Sequence, residues 1–395
     1  MHLARNTSVF LNLGHTFDHL LMLIFPTVVL AMSAELGGGY AELLPLSLGG
    51  FIAFGACSIP AGWLADRWSR FGMIAVFFFG IGATSILTGL ATGRTQVALG
   101  LTGIGVFAAI YHPVGIAMLV SNRDNVGRVL GVNGVFGNVG VAFSALIAGA
   151  LADSVGWRAA FIVPGAMAVI TGVAFVCLAP RGSAPVAPRR AAAAPGISRA
   201  DLARVFAVLT VATACGGVIF NATTISMPKV FDQKLAALTQ STFGIGALVC
   251  GVYLIAAMAQ LCVGWWLDRR SLKSVFVPVV ALQVPLLLLA GTTENSLMLL
   301  VAVAMMFFVF GQIPINDAMI ARYTAEAWRA RAYAVRYVVS FSASALAVPL
   351  VAVLYKSSGD FRALYFVLGT LALATFAAAV FFPSEKRLVP KPLAT

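Results

Sequence analysis

The stretch GHTFDHLLMLIFP, residues 14–26, sets His15, Asp18 and His19 among leucines, phenylalanines, an isoleucine and a methionine. Spacings of three and four residues put all three groups on one face of a helix. His112, in FAAIYHPVGIA, is a fourth titratable group in an apolar run, so three of the chain's four histidines lie in such runs. Two chemistries fit these residues. Imidazole titrates with an ordinary pKa of about 6.5, so an Asp18–His112 or Asp18–His15 pair suits reversible protonation near neutral pH. Alternatively, His15, Asp18, His19 and His112 offer nitrogen and oxygen donors to a divalent transition ion. A neutral, hydrogen-bonded cluster that only fastens helices together is the structural alternative.

A second polar set comprises Asn221, Gln312, Asn316, Asp317 and Arg336. Asp317 and Arg336 could pair across two helices as part of a cytoplasmic gate; Arg336 could instead attract an anionic substrate or snorkel to the interface. In GVNGVFGNVG, Asn133 and Asn138 sit among Gly131, Gly134, Gly137 and Gly140, a spacing that permits close helix approach.

The elements that position these residues are membrane helices. The chain is 60% hydrophobic and 10% charged, and runs such as MIAVFFFGIGATSILTGLA have no polar face, which excludes a soluble helical protein. A bilayer span needs about 20 apolar residues. Twelve are expected, near 8–33, 42–65, 72–91, 95–121, 129–152, 158–179, 204–228, 238–266, 274–292, 296–321, 332–355 and 362–382. Asp18 then lies about ten residues into the first span, roughly 15 Å along it and near mid-membrane, where a charge normally faces a cavity or a partner. The first run carries His and Asp and shows no small-residue cleavage site, so it is expected to stay as a span. Cysteines 57, 177, 215, 250 and 262 show no metal-ligand spacing and are expected to pack within helices.

With both ends on one side, 20 of the 26 basic residues fall on that side, and the opposite loops hold only Arg94, Arg158, Lys229, Lys234, Lys356 and Arg362. Both termini are therefore expected to be cytoplasmic, in the inner membrane. The net charge of +12 reflects topology and attraction to anionic lipid. Nucleic acid is not an expected partner, because no basic run interleaves with aromatics on a soluble surface.

Residues 180–203, rich in Pro, Ala and Arg, separate the sixth and seventh spans. The expected organisation is a six-helix bundle at 1–179, a cytoplasmic linker at 180–203, a second bundle at 204–383 and a tail at 384–395. The halves are duplicates. GWLADRWSR at 62–70 recurs as GWWLDRRSL at 264–272, and Pro26 matches Pro228, both at an offset of 202. HPVGIAM at 112–118 pairs with IPINDAM at 313–319, and GWRAAF at 156–161 with GDFRALY at 359–365. Two like-oriented halves are how many secondary transporters are built. Pro26, Pro113, Pro228 and Pro314, at paired positions of helices 1, 4, 7 and 10, are expected to bend those helices.

The chain resembles the major facilitator superfamily over almost its whole length. GWLADRWSRFGMI is similar to that superfamily's signature between helices 2 and 3, with Gly62, Asp66, Arg67 and Arg70 matching and Ser69 where Gly is usual. The resemblance implies an all-α membrane fold of twelve helices in two six-helix bundles, and a latch at Asp66 that closes the cytoplasmic side, with Asp268 and Arg269 as its weaker copy. Segments around His15 and Asp18, His112 and Pro113, and Asn138 resemble the fosmidomycin-resistance branch, whose members are similar to proton-driven exporters. Val114 stands where that branch carries Glu. The antiporter motif with Pro in helix 5 is not reproduced.

No P-loop, G-x-S-x-G, H-E-x-x-H or CxxC occurs, so neither an enzyme nor a bound cofactor is expected. The expected function is alternating-access transport, foremost proton-coupled export of a small organic molecule, with His15, Asp18, His19, His112, Asn138, Asn221, Gln312, Asn316, Asp317 and Arg336 as candidate coupling or substrate residues. Transport of an anion or divalent metal, or a transport-inactive sensor, are the alternatives. The family default is a monomer.

Overall fold

The computed structural model describes residues 2–121, 126–180, 198–324 and 326–383. Twelve helices follow in the expected order: α1 Thr7–Leu36, α2 Tyr40–Ala56 continued by Ser58–Arg67, α3 Arg70–Gly89, α4 Arg94–Val120, α5 Arg128–Ser154 and α6 Ala159–Leu178, then α7 Arg199–Lys234, α8 Thr242–Leu267, α9 Leu272–Thr292, α10 Asn295–Tyr323, α11 Glu326–Ser358 and α12 Arg362–Phe381. Ten of these are long and apolar enough to cross a membrane, eleven with the two pieces of α2 as one span, and α11 contributes the apolar stretch Ala345–Ser358. Leu99, Ile170, Leu300, Phe366 and Phe381 are all exposed, which suits a lipid-facing surface. Residues 181–197 of the predicted linker and the tail 384–395 lie outside the described residues, and α7 already begins at Arg199.

Local chemistry explains the helix ends. Ser69 and Ser271, 202 positions apart, each cap a helix by accepting a backbone N–H three residues on, from Gly72 at 3.0 Å and Ser274 at 3.2 Å. Ser69 thus has a reason to stand in the duplicated loop. α2 bends by 42° at Cys57, where Pro60 removes the N–H that would bond the preceding turn. α1 is interrupted at Ile24, just before Pro26. Pro113 falls in a π-helical turn, Tyr111–Gly115, inside α4, whereas Pro228 and Pro314 lie within unbroken helices.

The buried side chains form one large cluster joining both halves and a second confined to α7–α10 and α12, including Val205, Val263, Leu272, Met319 and Ala379. The second cluster sits at the end carrying the Ser69 and Ser271 loops, here called proximal. At the distal end the halves touch. Tyr40 packs on Tyr355 and Phe361 at ring-centroid distances of 5.2 and 6.4 Å and reaches the Ile225 carbonyl at 3.4 Å. Asp153 accepts the Phe243 N–H at 2.7 Å. Glycines permit the crossing of α5 and α8: a Cβ on Gly149 would fall 2.7 Å from the Thr242 carbonyl carbon, and one on Gly246 2.8 Å from that of Ala145.

Basic residues at the distal end are tied down. Arg158 grips Glu35 through two nitrogens at 2.5 and 2.6 Å, and the same hydrogen bonds raise its pKa further above the ordinary arginine value. Arg94 donates to the Leu36 carbonyl at 3.0 Å. Lys229 pairs with Asp232 and Arg362 with Asp360. Lys234, buried at the end of α7, donates to the carbonyls of Ala290, Gly291 and Thr293 at 3.3, 3.1 and 2.8 Å, with Glu294 at 3.3 Å.

Candidate functional site

α1, α4 and α5 bring the first polar set together inside the N-terminal half. Asp18 is fully buried at 0% exposure, and its Oδ2 lies 3.3 Å from Nε2 of His112. His112 reaches this depth from the π-helical turn, whose extra residue per turn displaces a side chain from the register of a regular helix. Neither carboxylate oxygen of Asp18 receives a hydrogen bond among the described residues. A buried carboxylate with that little support is costly when ionised, and stabilising it requires a proton or a cation.

The histidines pack around this pair. Nε2 of His19 lies 3.2 Å from Nε2 of His15, and Nδ1 of His15 lies 2.8 Å from the Asn133 carbonyl. A carbonyl only accepts, so Nδ1 of His15 carries the hydrogen. Nε2 of neutral His15 is then an acceptor, and His19 donates to it. His15 stacks on Tyr111 at 5.0 Å and meets His112 edge-on at 5.2 Å. Behind it, Asn133 Nδ2 donates to the Tyr111 hydroxyl at 2.8 Å and to Asn12 Oδ1 at 3.0 Å, while Tyr111 donates to the Leu11 carbonyl at 2.7 Å. His19 is the least buried of the three histidines.

Two glycines of the helix 5 series let α5 approach. A Cβ on Gly137 would lie 2.6 Å from His15 Cε1 and 2.7 Å from Nε2, and one on Gly140 would run into the Thr16 carbonyl oxygen, with the Thr16 carbonyl carbon 3.1 Å away. Gly131 and Gly134 face open space within 4 Å. Gly137→Ala should therefore push His15 off Asn133, at a cost of about 1–3 kcal/mol, or roughly tenfold in the population of the intact site. Gly134→Ala should be near neutral, and parallel flux assays of the two variants in proteoliposomes check the contrast.

The other predicted residues go elsewhere. Asn138 points across the halves and accepts from Gln260 on α8 at 3.3 Å, so Asn133 is the asparagine that meets the histidines. Asn221 bonds its own helix at the Gly217 carbonyl, 2.8 Å away. Gln312 accepts from Gln283 at 3.0 Å and donates to the Ala212 carbonyl at 3.0 Å. Asn316 is buried, with an Oδ1 that receives no hydrogen bond among the described residues. Asp317 and Arg336 do pair, through a hydrogen bond from Nη1 to Oδ1. Asn12, Tyr111, Gln260 and Gln283 were not singled out from the sequence. Asn12 could have been found, since it sits three residues before His15 on the same helical face.

The duplicated loops are alike in structure. Asp66 pairs with Arg70 at 2.7 Å, Arg67 lies over Trp63 at 4.3 Å, and Arg269 lies over Trp265 at 4.1 Å. Asp268 closes α8 as its C-cap. Gly62 connects this loop to the buried cluster: a Cβ there would meet the Cβ of Pro113 at 3.3 Å, one residue from His112.

Comparison with known proteins fits this architecture. A bacterial homologue of the human lysosomal transporter Spinster superposes in two inward-facing structures, unoccupied and occupied, with TM-scores of 0.73 and 0.75 at 14% identity; the matches cover 96% and 97% of this chain and 95% of the other in each case. A probable actinorhodin transporter of Streptomyces coelicolor is 30% identical over 168 residues, 40% of this chain. A puromycin resistance protein of Streptomyces alboniger is 30% identical over 122 residues, 30% of this chain, and a probable L-galactonate transporter of Escherichia coli 27% over 151 residues, 38% of this chain. The aligned segments span 28%, 24% and 33% of those three relatives' own lengths. The sequence profile of the Major Facilitator Superfamily matches residues 14–311 and 235–395. The chain belongs to the Major Facilitator Superfamily, a family of multi-pass membrane transporters.

Proposed function

We propose that this transporter exports a small organic molecule across the inner membrane in exchange for protons, with both termini cytoplasmic and the halves 1–179 and 204–383 rocking about a central cavity. The observation that carries the coupling is the Asp18–His112 pair: a carboxylate at 0% exposure, near mid-span, 3.3 Å from an imidazole nitrogen. A proton shared by such a pair neutralises the carboxylate, and its release to one side changes the charge at the packing centre of α1, α4 and α5. Two relatives that match segments of the chain are named for an actinorhodin transporter and for puromycin resistance, which supports efflux of organic molecules.

Asp66, with Gly62, Arg67 and Arg70, would act as the latch, and Asp268 with Arg269 as its copy. The contact of Gly62 with Pro113 offers a route by which the charge at His112 biases that latch. The distal end is closed by Tyr40, Tyr355, Phe361 and the Asp153–Phe243 contact, and the C-terminal half's proximal residues pack in a cluster of their own. Both facts support a state in which access is from the proximal, cytoplasmic side. The Asp317–Arg336 pair would form part of the cytoplasmic gate, because a guanidinium engaged by a carboxylate is a poorer attractant for an anionic cargo.

The direct test reconstitutes the protein in liposomes with an internal pH-sensitive dye. Applied gradients of candidate drugs are expected to move protons in the opposite direction, and a pH gradient to drive drug accumulation. Drug flux that ignores the pH gradient would refute proton coupling.

A further inference from the structure

The three clustered histidines have the geometry of a metal site, independently of any role in coupling. One ring nitrogen each from His15, His19 and His112 lies within 4.8 Å of the others. Zinc–nitrogen bonds of about 2.0–2.1 Å at tetrahedral angles put ligand nitrogens about 3.3 Å apart. The Nε2 atoms of His15 and His19 already stand at 3.2 Å, and a metal ion takes the place of the hydrogen between them when His19 carries its hydrogen on Nδ1 instead. The third nitrogen closes the set by an approach of at most about 1.5 Å to reach that spacing, within reach of ring rotation.

Two further observations point to a cation. Nδ1–H of His15 is directed at the Asn133 carbonyl, 2.8 Å away, which leaves the Nε2 lone pair facing the other histidines. Metal-binding histidines are held by the same kind of outer bond. Asp18 is fully buried beside His112, and its oxygens receive no hydrogen bond among the described residues. A divalent ion coordinated by neutral imidazoles supplies the positive charge that this carboxylate faces.

We propose that His15, His19 and His112 coordinate one divalent transition-metal ion of the cobalt, nickel and zinc class, with Asp18 as the compensating carboxylate and the backbone carbonyl of Asn133 orienting His15. Imidazole donors select this class over magnesium and calcium, which require oxygen, and the absence of thiol or thioether ligands in the set disfavours monovalent copper.

The test titrates Co2+ into tag-free protein purified in detergent and reads its visible ligand-field absorption. One equivalent is expected to give the intense bands of a four-coordinate site, and Zn2+ to displace it. His19→Gln keeps a polar group at the half-buried position, so the fold is expected to hold, as elution volume and helical circular dichroism will show. Its Co2+ affinity should fall by at least about a hundredfold, beyond the 10–100-fold typical for losing an outer-shell partner. Asn133→Ala keeps the backbone carbonyl that His15 bonds and removes only the side-chain links to Asn12 and Tyr111, so it should weaken Co2+ binding by less than about tenfold, below that outer-shell range. An absent Co2+ spectrum in the folded wild type, or a spectrum unchanged in a folded His15→Gln/His19→Gln double variant, would overturn the assignment. Proton-driven flux is read separately. Metal binding without pH-driven flux removes only the coupling reading, and pH-driven flux without metal binding removes only this one.

Discussion

Asp18→Asn is expected to reduce pH-gradient-driven transport in proteoliposomes by at least about tenfold, equivalent to 1.4 kcal/mol or more in the coupled step, while leaving cargo counterflow measurable. Asparagine has nearly the shape of aspartate, so the packing of α1 against α4 and α5 survives, yet it neither binds nor releases a proton. Counterflow exchanges labelled for unlabelled cargo and needs no net proton movement. The two assays therefore separate coupling from folding and binding. The site can bear the neutral residue because Asp18 receives no hydrogen bond among the described residues, and removing the ionised form leaves no donor stranded on a lost acceptor other than the His112 ring at 3.3 Å. Asp18→Glu keeps the titratable group but adds a methylene at a position of 0% exposure, so partial, still pH-responsive transport is expected. Gradient-driven flux that matches the wild type in Asp18→Asn would show that the proton travels elsewhere. Loss of counterflow together with driven flux would make Asp18 a cargo or packing residue.

Much of this architecture was legible because a bilayer imposes a coarse code. Length and lack of polar faces locate the apolar helices, and duplication of the 62–70 loop at 264–272 orders them as two halves. The candidate site was legible only in part. His15, Asp18 and His19 share a helical face by spacing alone, but the meeting of His112 with Asp18 depends on the π-helical turn at Tyr111–Gly115, and no periodicity announces one extra residue in a turn. The choice between Asn133 and Asn138 depends on the rotation of α5: the two are five residues apart and face α1 and α8 respectively, which the glycine repeat every third residue leaves open. Duplication was the better guide to what is special. Phe220 occupies the position of Asp18, and its ring lies tilted against that of Phe310 on α10 with centroids 5.1 Å apart. Equivalent helices thus enclose an aromatic contact in one half and a titratable cluster in the other. A purely architectural need would have been met alike in both.

Lys234→Met is expected to destabilise the protein by about 2–4 kcal/mol, seen as a lower thermal midpoint in detergent and a shorter lifetime of the monodisperse peak. By charge counting Lys234 is one of six basic residues on the wrong side for the positive-inside pattern. The structure supplies the reason. Its side chain is 7% exposed and its ammonium donates to three carbonyls, Ala290, Gly291 and Thr293, at the C-terminal end of α9, where helix carbonyls lack intrahelical partners and the dipole favours a cation. Methionine retains the length of the apolar stem and removes every donor, so the loss isolates the capping interaction from cavity formation. Glu294, the remaining partner, is 54% exposed, and exposed ion pairs contribute about 0–1 kcal/mol. Glu294→Gln should therefore move the midpoint little. If both variants destabilise equally, the ion pair rather than the carbonyl cap holds α7 to α9. If neither does, the distal end is secured by Tyr40, Arg158 and the α5–α8 glycine crossing without help from Lys234. The expected order, Lys234→Met far below Glu294→Gln, makes this charge a structural pin at the end that must stay shut while the opposite end is open.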